Sequence, residues 1–277
     1  MIEVAEAGVR LLAVRDEDPQ REWDALGEWW PEQHPGVVGI RDRRAGGAWL
    51  AARHAAPETV EGQGPPASPR LSVLLNRADV LDLPDDQVVS RGALALASVA
   101  GSSPAGSPRM HGFNLLEVSP GGARVLSWDG SALRESPVPA GVHMIAHDDL
   151  DDQRTARIAR WLPEFRAHPA SGEGWPDSWI RLLATTTELD PTDDRAIIRD
   201  NRPHGYPTQS LLYCTASVSA GGIEVRDHTL PTAIADRASI LRAARECLRR
   251  VPLDRRLRLL GVRAGGLLPA GLGRPSG

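Results

Sequence analysis

The stretch Val9-Arg10-Leu11-Leu12-Ala13-Val14 constrains the fold more than any other part of the chain. Apart from Arg10 it is apolar at every position, so a strand formed here needs cover on both faces. It belongs inside a sheet rather than at an edge. After Val14 the chain breaks into charge: Arg15, Asp16, Glu17, Asp18, then Pro19. A partly buried arginine at a strand end needs a carboxylate, and Asp16 or Glu17 is adjacent. The group therefore reads first as a charge cap. The alternative is a ligand-contacting or degenerate catalytic role for Arg15 and Asp16.

Further short strands are predicted at Gly36–Ile40, Gly46–His54 and from Leu71, with a Pro/Gly-rich loop at Pro57–Arg70. From Phe113 the pattern predicts an antiparallel meander: Phe113–Ser119, Ala123–Gly130, Leu133–Val138 and Gly141–His147. The acidic run Asp148–Asp152 then opens a predicted helix that puts Ile158, Trp161, Leu162 and Phe165 on one face. A second helix is predicted over Trp175–Thr186, a hairpin from Gln209 to His228, and an amphipathic helix over Ile234–Val251. Many antiparallel strands with segregated helices define an α+β class. Residues 1–251 are expected to form one domain, and 252–277 a flexible Arg/Leu/Gly/Pro-rich tail.

The chain contains no lysine. That excludes a Schiff-base lysine, a P-loop and a protein-kinase site. The two cysteines, Cys214 and Cys247, sit in a strand and a helix pattern and read as core residues. A net charge of −4 gives no general reason to expect nucleic-acid binding. No apolar run is long enough to span a membrane, and the N-terminus lacks a secretory pattern, so a cytoplasmic location is expected.

Several fragments taken in order resemble the NRDE family, also called the transport and Golgi organisation family. Val14-Arg15-Asp16-Glu17 keeps three of the four residues that name it. Gly46-Gly47-Ala48-Trp49-Leu50, Leu74-Leu75-Asn76-Arg77, Ser90-Arg91-Gly92 and Gly112-Phe113-Asn114-Leu115-Leu116 follow in the order and spacing of that family. The resemblance implies an N-terminal-nucleophile-hydrolase-like, four-layer αββα sandwich. It also implies that Arg15 and Asp16 frame a nucleophile at the start of the chain. Met1-Ile2 stands where the family has Met-Cys, and His147 stands where it has an asparagine. Both departures argue against amide hydrolysis. Arg15, Asp16, Asn114 and His147 are then candidates for a degenerate site, with no catalytic residue assigned.

Ligand-contacting candidates are Arg15, Asp16, Trp29, Trp30, Trp49, Asn76 and Asn114. His143 and His147 fall on one face of a continuous strand, but no third metal ligand accompanies them. The expected function is thus a non-hydrolytic small-molecule-binding or trafficking factor, with haem or lipid handling implied by the resemblance alone. The expected partner is a small molecule rather than nucleic acid. The alternatives are a hydrolase of linear amides whose Met-Cys start lies upstream, and a protein-interaction domain using Trp29 and Trp30.

Overall fold

In a computed structural model, residues 1–54, 68–172, 174–230 and 260–262 are described. Strands β1 (Ile2–Ala5), β2 (Gly8–Glu17), β3 (Trp23–Gly27), β4 (Val37–Asp42), β5 (Ala48–Arg53) and β6 (Arg70–Asn76) come first. The short helix α1 (Leu94–Val99) precedes β7 (Phe113–Ser119), β8 (Gly122–Trp128), β9 (Leu133–Val138) and β10 (Gly141–His143). Helices α2 (Ala156–Ala167) and α3 (Trp175–Thr185) lead to the hairpin β11 (Gln209–Ser219) and β12 (Gly222–Thr229), and β13 covers Leu260–Val262. One sheet has the order β10-β1-β2-β11-β12-β13, the other β3-β4-β5-β6-β7-β8-β9. The second sheet is antiparallel throughout, and in the first only the β12–β13 pairing is parallel. The class is α+β, with two sheets and few helices.

The double-sided apolar pattern of β2 is explained by its neighbours. It lies between β1 and β11, with Leu12 packed among helix residues and Leu11 among residues of the other sheet. Ile158, Trp161, Leu162 and Phe165 of α2 are all buried on the Leu12 side, as their spacing predicts. Trp179 of α3 is fully buried there and meets Phe165 and Trp175 edge-on, at centroid distances of 5.5 and 5.6 Å. Between the sheets, Leu11, Cys214 and Val225 oppose Ile40, Leu50, Val73 and Leu116. Helix α1 covers the outer face of the second sheet through Ala95, Leu96 and Val99 against Val37, Ala48 and Ala51.

Several expectations need correction. The predicted fourth strand of the meander stops at His143, and β10 joins the other sheet beside β1. His143 and His147 therefore share no strand face: His143 is buried, while the His147 side chain is half exposed. The acidic run forms turns, and α2 starts only after Thr155. Asp148 does not cap α2, but takes the Thr155 hydroxyl at 2.7 Å. The Trp-rich residues 21–38 include β3, which went unread because its few residues carry no clear alternation. Helix α1 went unread because six residues are too few to show a period. Cys247, the predicted helix Ile234–Val251 and the 251/252 boundary lie outside the described residues.

A steric constraint at the β4–β5 turn yields a direct test. A Cβ added at Gly47 would lie 2.0 Å from the Gly92 carbonyl oxygen, so two backbone segments meet where no side chain fits. Gly47→Ala is expected to lower stability by about 2 kcal/mol, the scale of overpacking. An unchanged thermal midpoint would refute this contact.

Candidate functional site

The charged end of β2 lies beside the start of β11, with Glu17 opposite Gln209 and Asp16 opposite Ser210. The ends of β4 and β6 and the starts of β5 and β7 occupy the same end of the facing sheet. Strand alternation sends Arg15 and Asp16 to opposite faces. Arg15, only 8% exposed, turns towards the second sheet. It pairs through Nη2 with Glu17 and lies 5.5 Å from the centre of the Trp49 ring. Asp16 faces the helix side, where it accepts from the Ser210 hydroxyl at 2.5 Å and from Asn201 at 3.5 Å. Arg157 of α2 approaches the same carboxylate only to 4.0 Å.

Asn114 holds the centre of this end. Fully buried, it accepts from the Ser127 hydroxyl at 2.7 Å and from Arg77 Nη1 at 3.3 Å. Its amide donates to the carbonyls of Ala146 and Asp148 at 3.2 and 2.8 Å. One side chain thereby fastens the 146–148 loop of the first sheet to the second. Arg77 continues the link to Asp149 at 2.7 Å. The Gly112 carbonyl then accepts from both the Arg77 backbone N–H and Arg91 Nη1.

Arginines and carboxylates alternate at this end: Arg15 with Glu17, Arg21 with Asp42, Arg77 with Asp149 and Arg157 beside Asp16. Burial, opposed by Asp148 and reinforced by Arg157, Arg199 and Arg77, lowers the His147 pKa below its usual value. Burial likewise lowers Arg157, despite Asp16, and Arg91, despite Asp79. Arg199 is well satisfied, with Asn201 at 2.8 Å and Asp194 at 3.2 Å. At this end Arg15 Nη1, Arg21 Nε, Trp49 Nε1, Arg77 Nε and Arg157 Nε are buried donor atoms without a hydrogen-bond partner, and Arg53 Nε, Ser72 Oγ and Thr229 Oγ1 are others elsewhere. Arg21 belongs to the group through Asp42 and, at 4.0 Å, Glu17. Unpartnered acceptors occur elsewhere, as at Glu3 Oε2 and, deeper between the sheets, Asp227 Oδ1.

Of the candidates read from the sequence, Arg15, Asp16, Trp49, Asn114 and His147 meet at this end. Asn76 is exposed at the end of β6 and makes no hydrogen bond to the Asn114 group, whereas the adjacent Arg77 does. Trp29 and Trp30 sit apart, with their indole N–H groups on the carbonyls of Ala25 and Gly46 at 2.8 and 2.7 Å. Trp30 is buried against α1, and Trp29 lies under Arg41 at 4.9 Å. Sequence reading missed Arg77, Arg91 and Arg157. Arg77 and Arg91 lay inside quoted motifs, but nothing in the sequence marks Arg157.

A family model decides against the earlier resemblance. The impB/mucB/samB family C-terminal domain matches residues 209–275. The match begins at β11, the strand beside Arg15 and Asp16, and covers less than half of the chain. Nothing matches among curated proteins. The NRDE assignment is therefore corrected, and with it the trafficking, haem and lipid reading and the alternatives attached to it. Its motifs are short segments at strand ends or, for Ser90-Arg91-Gly92, at the start of a 3-10 turn, where tight packing asks for glycine and small polar residues in many folds. Gly47 against Gly92 is such a contact. The expectation of no nucleic-acid partner is corrected too, because net charge averages over the surface and hides a local concentration of donors. No helix among the described residues is long and apolar enough to cross a membrane.

Proposed function

We propose that this chain binds DNA phosphates at the arginine-rich end of its two sheets, in a role related to DNA damage tolerance. The carrying observation is the set of five buried donors without acceptors, drawn from four arginines and Trp49. Phosphate oxygens accept hydrogen bonds and bring the charge that lowered-pKa guanidinium groups favour. The second support is the match to a domain of DNA-acting, translesion-polymerase-like proteins, which starts on the strand bordering this site. Arg77 and Arg91 meet at the Gly112 carbonyl, and Arg77 reaches the 146–149 loop through Asn114 and Asp149. The three apolar clusters further support a four-layer arrangement, in which α2 and α3 back one sheet and α1 the other. That packing holds the site between rigid elements.

Binding of a fluorescent single-stranded oligonucleotide, followed by anisotropy, tests the proposal. The affinity is expected to fall linearly with log salt, and Arg91→Gln to reduce that slope by about 1. No binding at 50 mM salt (roughly the low-salt end of such assays) overturns the reading.

A further inference from the structure

We infer that the cleft between β10 and the end of α2 binds a small zwitterion of the amino-acid type, its ammonium on Glu3 and its carboxylate on Arg166. The inference is independent of the DNA-binding reading. The cleft measures about 430 Å³ and is bordered by Glu3, Ala140, β10, Arg166 and Pro169. That volume falls within the range of small-molecule sites, about 300–1,000 Å³.

The side chains of Glu3, Val142 and Arg166 reach it from one side of the first sheet. Glu3 stands opposite Val142 in the β1–β10 register. Ile2 and Val4, on either side of Glu3, pack between the sheets, so strand alternation turns Glu3 towards the helices. Val142 packs among residues of α2 and α3 on that same side. Arg166 belongs to the last turn of α2, and Pro169 follows that helix.

The charges around the cleft are held apart. Arg166 donates from Nε to the Val142 carbonyl at 3.0 Å and from Nη2 to Asp151 at 2.8 Å, which fixes its guanidinium against the edge of β10. Arg10, across from Glu3 on β2, is drawn off to the Ala170 carbonyl. An untethered arginine would swing onto the carboxylate, whereas each of these is anchored to a backbone carbonyl. Among the described residues Glu3 forms no ion pair, and its Oε2 is buried without a hydrogen-bond partner.

The ligand follows from what these groups lack. An ionised Glu3 can only accept, so its complement is a donor-rich cation, and an ammonium brings three N–H groups. Arg166 Nη1 makes no hydrogen bond among the described residues, which suits a carboxylate. Glu3 and Asp151 balance Arg10 and Arg166, so this corner favours neither a free cation nor a free anion. A zwitterion supplies both charges and stays neutral overall. Val142 and Pro169 add an apolar wall for its side chain.

Backbone amide shifts of the full chain, followed by NMR, test the inference. Glycine, leucine and phenylalanine are titrated to about 10 mM, tenfold above a millimolar Kd. At least one should move the Gly141 and Val142 amides saturably. The decarboxylated and the N-acetylated forms of that amino acid should each bind about tenfold or more weakly, because each loses one charge-assisted contact. Glu3→Gln should weaken the intact amino acid to a similar degree and leave the N-acetylated form unchanged. If that variant fails to fold, the truncated ligands carry the test on the parent chain. No saturable shift with any of the three amino acids overturns the inference. Equal affinity for the amino acid and either truncated form overturns it as well.

Discussion

Asn114→Ala is expected to cost on the order of 3 kcal/mol in unfolding free energy and to abolish phosphate-dependent binding together with it. The side chain is fully buried and serves four partners: Arg77, Ser127 and the carbonyls of Ala146 and Asp148. Truncation leaves each of them short of one hydrogen bond, and a buried polar group left unsatisfied costs about 1–3 kcal/mol. Partial relaxation and water entry keep the sum below four full penalties. The functional loss follows because Asn114 ties both the Arg77 guanidinium and the loop carrying His147, and its removal leaves only the Arg77–Asp149 ion pair between them. Urea denaturation at unchanged m value reads the first effect, and oligonucleotide anisotropy at a temperature where the variant is folded reads the second. A folded variant with wild-type affinity would show that the loop is held in place by other contacts.

The second large effect concerns Asp227, whose burial pushes its pKa up to about 6. The carboxylate lies 3% exposed between the sheets, with the Leu26 N–H at 3.4 Å on one oxygen and no partner on the other. In the unfolded chain an aspartate titrates near about 3.9. The folded state therefore holds the proton more tightly. Its contribution to stability is full below the unfolded value and is lost as pH rises through about 6. A shift of this size corresponds to roughly 3 kcal/mol. Asp227→Asn stays neutral, so at pH 8 it should be more stable than the parent by about that amount and near parity at pH 3.

His228 acts in the opposite direction. Burial lowers its pKa to about 4, so it withdraws stability as pH falls from its usual range towards that value. In the parent chain the two trends offset each other over the acidic range. In Asp227→Asn the histidine trend is no longer opposed by Asp227, and stability should climb over the same interval. Unfolding midpoints measured across this pH series decide the matter. Parallel curves with a constant offset would show that Asp227 is not the titrating group.

Much of the fold was legible because short-range patterns carried it. The strands Phe113–Ser119 and Leu133–Val138 fall where alternation and glycine turns placed them. The buried face of α2 follows from helical spacing. Failures came where local pattern and tertiary contact compete. Ile145 looks like a strand residue, yet Asp151 takes the His143 imidazole at 2.7 Å and the Met144 N–H at 2.8 Å. Those bonds turn the chain off the sheet edge after His143. The loop so formed is the one that carries His147 into the site.

Residue chemistry alone determined that β2 is an internal strand with charge at its end, since six successive positions with one polar side chain leave no face for water. It also made Cys214 a core residue, and burial raises its thiol pKa well above the ordinary value. Tertiary structure decided which arginines belong together. Arg15, Arg77 and Arg157 lie far apart in sequence, on strands of different sheets or on a helix, and each carries a locally ordinary charge. Only packing of the two sheets and α2 brings all three to one end, Arg15 buried and Arg77 and Arg157 partly so, with donors left over. Hydrogen-bond demand of that kind depends on the groups that surround an atom after folding, which no local sequence pattern specifies.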